Sequence, residues 1–209
     1  MLMKVRLMPR HPLRALPDGY HEVEYLDVTD TSRLVWLNLM AVVPLIASAL
    51  VVAGWWLLTV PLRAGRTGPD VPWWLALVGL LALLLLHEAL HGAAMLALGH
   101  RPTFGARLSQ GLLYALSEGA YYRRDEFLLI ALAPLVLISL TGLALMPLVP
   151  DSPAFWLGLV VVVNAASAIG DLWMSARALR YPPTALVRDE PTGVRFFMPQ
   201  REKEKAHSA

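Results

Sequence analysis

Residues 81–95 read LALLLLHEALHGAAM. His87, Glu88 and His91 stand in a run otherwise made of leucine, alanine, glycine and methionine. A helix that is apolar all the way round lies in a large core or in a membrane, not on a wet surface. Three ionisable groups at its middle therefore need a reason.

The rest of the chain decides for the membrane. Of 209 residues, 56% are hydrophobic and 16% charged, and the mean hydropathy is +0.52. That is too apolar for an ordinary soluble domain. Four stretches reach the about 20 apolar residues that cross a bilayer. Residues 34–62 and 127–149 carry no charge, 71–98 carry only the HEALH group, and 153–176 carry only Asp171. The expected fold is an all-α membrane protein with four transmembrane helices in one domain, residues 34–180. A cytoplasmic segment, 1–33, precedes it, and a largely disordered tail, 181–209, ends in REKEKAHSA.

Lysine and arginine are divided unevenly. Five fall in residues 1–33, four in 99–126 and seven from Arg177 onward, whereas the other side has only Arg63 and Arg66. The positive-inside rule then puts both termini and the 99–126 loop in the cytoplasm, and the expected location is the plasma (inner) membrane. Trp55, Trp56, Trp73, Trp74 and Trp156 fall near the opposite helix ends, as an interfacial belt does. No short apolar signal core occurs before residue 34, so the first helix is expected to stay as an anchor. There is no cysteine, hence no disulfide and no thiolate chemistry. The lipid bilayer is the expected environment, and no nucleic-acid partner is expected.

Shorter signals fill in the rest. YHEVEYLDV (20–28) alternates as a short strand, with His21 read as a solvated strand residue. Thr29, Asp30, Thr31 and Ser32 offer capping chemistry for the first helix. Pro44 and Asn38 suggest a kink and a polar link between helices. In the 99–126 loop, TFGAR and LLYAL flank Ser109-Gln110-Gly111, a plausible hairpin turn, so a small cytoplasmic β-hairpin is expected between helices 2 and 3.

The HEALH spacing has a specific chemistry. Positions i and i+4 share a helix face, so His87 and His91 can both offer ring nitrogens to one zinc ion. Glu88 then stands beside the metal as a general base for an activated water. Five residues with three fixed occur by accident in soluble helices, but each ionisable group inside a membrane helix costs roughly 2.5–3.5 kcal/mol. Zinc usually takes a third protein ligand. Asp171 is the candidate by depth: His87 lies 15 residues after Pro72 and Asp171 lies 17 after Ala154. At ~1.5 Å per residue both sit about 22–26 Å from the outer surface. Glu118 and Glu126 are rivals in or beside the loop, and a structural pairing of Asp171 with Arg177 or a backbone amide is the bland alternative. Asn164, seven residues before Asp171 on the same face, is a candidate substrate-binding group or a helix-to-helix link. His100 is read as an interfacial residue.

At this point the chain resembles a family. LPDGYHEVEYLDV (16–28), LLHEALHGAAMLALGHRPTFG (85–105), FLLIALAPLVLISL (127–140) and NAASAIGDL (164–172) are similar to the zincin peptidases grouped as a domain of unknown function. More distantly they resemble site-2 intramembrane metalloproteases, with HExxH on one membrane helix and an asparagine some residues before a ligating aspartate on a later one. That resemblance implies His87, His91 and Asp171 as zinc ligands, Glu88 as base and Asn164 as a substrate-binding group. The site-2 pattern has prolines between asparagine and aspartate and a glycine after it; here AASAIG and Leu172 stand there. The implied function is zinc-dependent hydrolysis of a membrane protein or peptide substrate, in or next to the bilayer. The alternatives are a non-catalytic zinc-binding membrane protein, such as an assembly factor, sensor or inactive peptidase relative, and a small ion carrier.

Overall fold

Asp30 starts the first helix by accepting the backbone N–H of Ser32. In the computed structural model, which describes residues 12–107 and 112–200, helix α1 (Thr31–Met40) and helix α2 (Val42–Arg63) are separated only at Ala41. Pro44 explains the break. Its ring obstructs the preceding turn, and in the first turn of α2 its missing N–H has no partner to lose. Asn38 is exposed and makes no link between helices.

Helices α3 (Trp73–Ala97) and α4 (Arg124–Leu145, continued by a 3-10 turn to Leu148) follow. Among the described residues three helical segments are long and apolar enough to cross a membrane: Thr31–Arg63, Trp73–Ala97 and Arg124–Leu148. Their outer faces are apolar: Leu57, Leu58 and Trp73 are more than 70% exposed. Such surface is stable in lipid and not in water. The chain is a membrane protein.

The fourth apolar stretch is not one straight helix. Helix α5 (Asp151–Ser167) and helix α6 (Ile169–Ala178) meet at Ala168 with a bend of 48°. Ser167 donates its hydroxyl to the Asn164 carbonyl, and Gly170 follows; serine and glycine so placed are usual causes of a kink. The pair counts as a fourth span only if it is taken as one broken segment. Glycines let α5 approach its neighbours. A Cβ on Gly142 of α4 would stand 2.5 Å from Val161, and one on Gly158 would stand 2.8 Å from Val52 of α2. At the far end Arg63 is buried over the Trp56 ring and pairs with Asp151 at 2.8 Å, tying α2 to α5.

The expectation of an all-α fold needs correcting. Strands β1 (Tyr20–Asp27), β4 (Tyr122–Arg123), β5 (Leu186–Glu190) and β6 (Gly193–Pro199) form an antiparallel sheet in the order β1-β6-β5-β4. Residues 186–199, expected to belong to a disordered tail, supply two of these strands. Pro182, Pro183 and the charged end mask a stretch that carries Val187, Val194 and Phe196, all buried. REKEKAHSA itself lies outside the described residues. The inner face of the sheet packs Leu26, Tyr122, Val187, Val194 and Phe196 against Met95, Phe127 and Ile130 of α3 and α4. Both ring nitrogens of His21 on β1 are enclosed rather than solvated, without a hydrogen-bond partner among the described residues.

Strands β2 (Thr103–Arg107) and β3 (Leu112–Leu116) pair antiparallel, Thr103 opposite Leu116. Their turn, with Ser109-Gln110-Gly111, lies outside the described residues. The pair rests on α3 because residue 92 is glycine: a Cβ there would stand 2.5 Å from the Phe104 ring.

Candidate metal centre

Although α3 is apolar all round, it has one packed stripe, made of Ala76, Leu83, His87, His91, Gly92 and Met95. The two histidines therefore face protein and not lipid. Each is less than a tenth exposed, and donor atoms of His87, Glu88 and His91 all lie within 4.8 Å of one another. That is close enough to hold a metal ion.

The bend at Ala168 sets Asp171 in the first turn of α6, opposite α3. One carboxylate oxygen lies 3.1 Å from His87 Nε2, and the other lies 3.5 Å from His91 Nε2. Two donors sharing a tetrahedral zinc ion at ~2.0–2.1 Å are themselves about 3.3 Å apart, so the spacing suits such an ion. The rivals are elsewhere. Glu126 accepts the backbone N–H of Arg123 at 3.0 Å as part of the α4 capping box, and Glu118 is exposed. Arg177 pairs with Glu24 rather than Asp171.

The far sides of both rings face pure acceptors. His87 Nδ1 lies 2.9 Å from Asn164 Oδ1, and His91 Nδ1 lies 2.8 Å from the Ile130 carbonyl. The Asn164 orientation is fixed because its Nδ2 donates to the Pro134 carbonyl at 3.3 Å. Both Nδ1 atoms therefore carry the proton, and both Nε2 atoms turn toward the Asp171 carboxylate. Two lone pairs and a carboxylate aimed at one point repel one another unless a cation or two extra protons lie between them. This donor set fits zinc.

Asn164, expected as a substrate-binding group or a helix link, bonds to side chain and backbone on two neighbouring helices. It is fully buried, both ends of its amide are engaged within the protein, and its side chain does not line the cavity described below. The partner of His91 was hidden in the sequence, though a signal for it exists. In an α-helix the Ile130 carbonyl would accept the N–H of residue 134, but residue 134 is proline and has none. Pro134 thus frees the acceptor that orients His91. Pro134→Ala restores the competing N–H and should weaken zinc binding by about tenfold, the low end for loss of a group that orients a ligand. A chelator titration reads this directly, and an unchanged affinity would show that the carbonyl serves both donors equally well.

Glu88 faces β3. Among the described residues β3 pairs only with β2, so its other edge is unpaired. A cavity of about 350 Å³ opens there, lined by His87, Glu88, His91 and Asp171 and by residues 113–116 of β3. His100 is buried against the Tyr122 ring, 4.7 Å between centroids, away from these donors. Burial holds its imidazole below the usual histidine range.

A family model described as "Putative zincin peptidase" matches residues 80–186, just over half of the chain. The chain belongs to this zincin peptidase family. The zincin segment includes the HEALH helix, the β2–β3 pair, Pro134, Asn164 and Asp171, and so takes in every side chain of the donor set. No curated protein and no solved structure matches the chain.

Proposed function

We propose that the protein is a zinc-dependent peptidase acting in or next to the membrane. Its metal would be held by His87, His91 and Asp171, with Glu88 as the general base. The observation that carries this is the convergence of two Nε2 atoms and a carboxylate beside Glu88, at a cavity bordered by a strand edge. Asn164 and the Ile130 carbonyl serve as positioning groups that set the two imidazole tautomers.

Zinc held by such a set acts as a Lewis acid and acidifies a neighbouring water. Glu88 would take the proton from that water as its oxygen adds to the scissile carbonyl carbon, and would pass it to the leaving amine as the C–N bond breaks, leaving a carboxylic acid and an amine. A membrane-spanning substrate hides its peptide groups in helical hydrogen bonds, so the cleaved segment must first unwind. The outer edge of β3 offers backbone groups that can hold an unwound segment by strand addition. Glu88 lines the same cavity as residues 113–116 and so stands within reach of a segment held there.

In this reading α5 and α6 form one broken fourth span, and both termini and the β2–β3 pair face the cytoplasm of the inner membrane. The arginine and lysine distribution supports that orientation. The partners are then the bilayer and a membrane protein or peptide substrate. In cells lacking the protein, some single-span membrane protein should accumulate uncut and be processed again when the wild-type chain is restored. An unchanged membrane proteome would favour the zinc-binding alternative, a non-catalytic assembly factor or sensor.

A further inference from the structure

One charged group on the inner face of the sheet has no use in the chemistry above. Asp189 lies two residues after Val187 on β5, so it shares the face that packs Leu26, Val187, Val194 and Phe196 against the helices. It lines the same cavity as His87, Glu88, His91 and Asp171. A carboxylate turned into an apolar face is costly unless a cation or several hydrogen bonds compensate it. Among the described residues Asp189 has no ion pair, whereas its neighbour Glu190 has two. Glu190 borders the cavity too, but Arg195 at 3.0 Å and Arg188 at 3.3 Å already neutralise it. Burial pushes the Asp189 carboxyl up to about 7; His91 pulls it down, and Asp171 and Glu88 add to the rise.

A carboxylate without an ion pair among the described residues, at the wall of a cavity, is suited to a cation brought by the ligand. The surroundings say which kind. Residues 113–116 of β3 border the cavity beside Glu88, and Leu37, Trp173 and Val194 line it as well. An extended peptide paired with the β3 edge sends alternate side chains to one side. A lysine or arginine among them can lay its apolar stem along these walls and carry its charged head to Asp189.

We propose that Asp189 is a specificity-determining residue, which receives the ammonium or guanidinium group of a lysine or arginine on an extended peptide held in this cavity. That the bound peptide is then cut rests on the peptidase reading; that it is bound does not. Asp189 lies three residues beyond the segment matched by the zincin family, so this selectivity belongs to the chain's own sheet.

The test uses the full chain in detergent carrying Glu88→Gln, so that binding is measured without cleavage. Fluorescent decapeptides, capped at both ends, differ only in a central lysine, arginine, norleucine or glutamate. By anisotropy the lysine and arginine peptides should bind at least about tenfold tighter than the norleucine peptide. Adding the isosteric Asp189→Asn should erase that difference and leave norleucine binding unchanged. A second readout separates specificity from a structural role. The folded carboxyl titrates above its unfolded value, so its cost to stability grows as pH rises from about 4 and is fully present above about 7. Asp189→Asn should therefore raise the unfolding temperature at pH 8, where loss of a structural carboxylate would lower it. Equal binding of lysine and norleucine peptides, or a preference that survives Asp189→Asn, overturns the proposal. The same peptides are then offered to protein with Glu88 intact. Selective binding without cutting would count against the peptidase reading and leave the assignment of Asp189 standing.

Discussion

Replacing His91 by alanine is expected to leave the purified protein without zinc. The imidazole is held from both sides: its Nδ1 donates to the Ile130 carbonyl and its Nε2 faces Asp171. Removing it deletes one of three protein donors and leaves the Ile130 carbonyl unpaired in the core. Structural zinc sites with four ligands bind with about 10–16 kcal/mol, so one ligand is worth about 3 kcal/mol and its loss weakens binding more than about a hundredfold. Metal analysis after gel filtration should give close to one zinc per chain for the wild type and close to none for His91→Ala or His87→Ala. Asp171→Ala should also lose metal, whereas Glu118→Ala and Glu126→Ala should keep it, since neither side chain reaches the histidines. Full zinc retention in Asp171→Ala would remove that carboxylate from the ligand set.

Glu88→Gln is expected to separate binding from chemistry. The side chain keeps its size and its place in the cavity, but it no longer accepts a proton. A positioned general base contributes about 10²–10⁴ in rate. Purified Glu88→Gln protein should hold as much zinc as the wild type and cut a model substrate slower by that factor. A protein that only stores or senses zinc is indifferent to the exchange. Wild-type cleavage by Glu88→Gln would mean that another group moves the proton.

Much of the site was legible because a membrane helix makes polar residues conspicuous. Against leucine and alanine, the HEALH spacing stands out, and the shared depth of His87 and Asp171 follows from counting residues along two apolar runs. The bend that brings Asp171 into the first turn of a separate helix was not legible, since Ser167 and Gly170 are common in straight membrane helices as well. Pro134 was visible as a proline, but its role depends on which neighbouring helix presents a donor to the carbonyl it frees, and that is a tertiary fact. The sheet was missed for a different reason. Residues 186–199 interleave arginine, aspartate and glutamate with valine and phenylalanine, and the composition of such a stretch resembles a solvated tail until its apolar face finds the ends of α3 and α4. Asp189 went unnoticed with it, since a lone aspartate in a charged segment carries no signal before the strand gives it a face.

Zinc K-edge absorption spectroscopy on the purified full chain tests the metal centre most directly. The geometry predicts one zinc per chain with two imidazoles at ~2.0–2.1 Å and oxygen donors in the remaining positions, and loss of one imidazole in His87→Ala under saturating zinc. A spectrum of the wild type with fewer than two imidazoles, or a chain that binds no zinc, would contradict it.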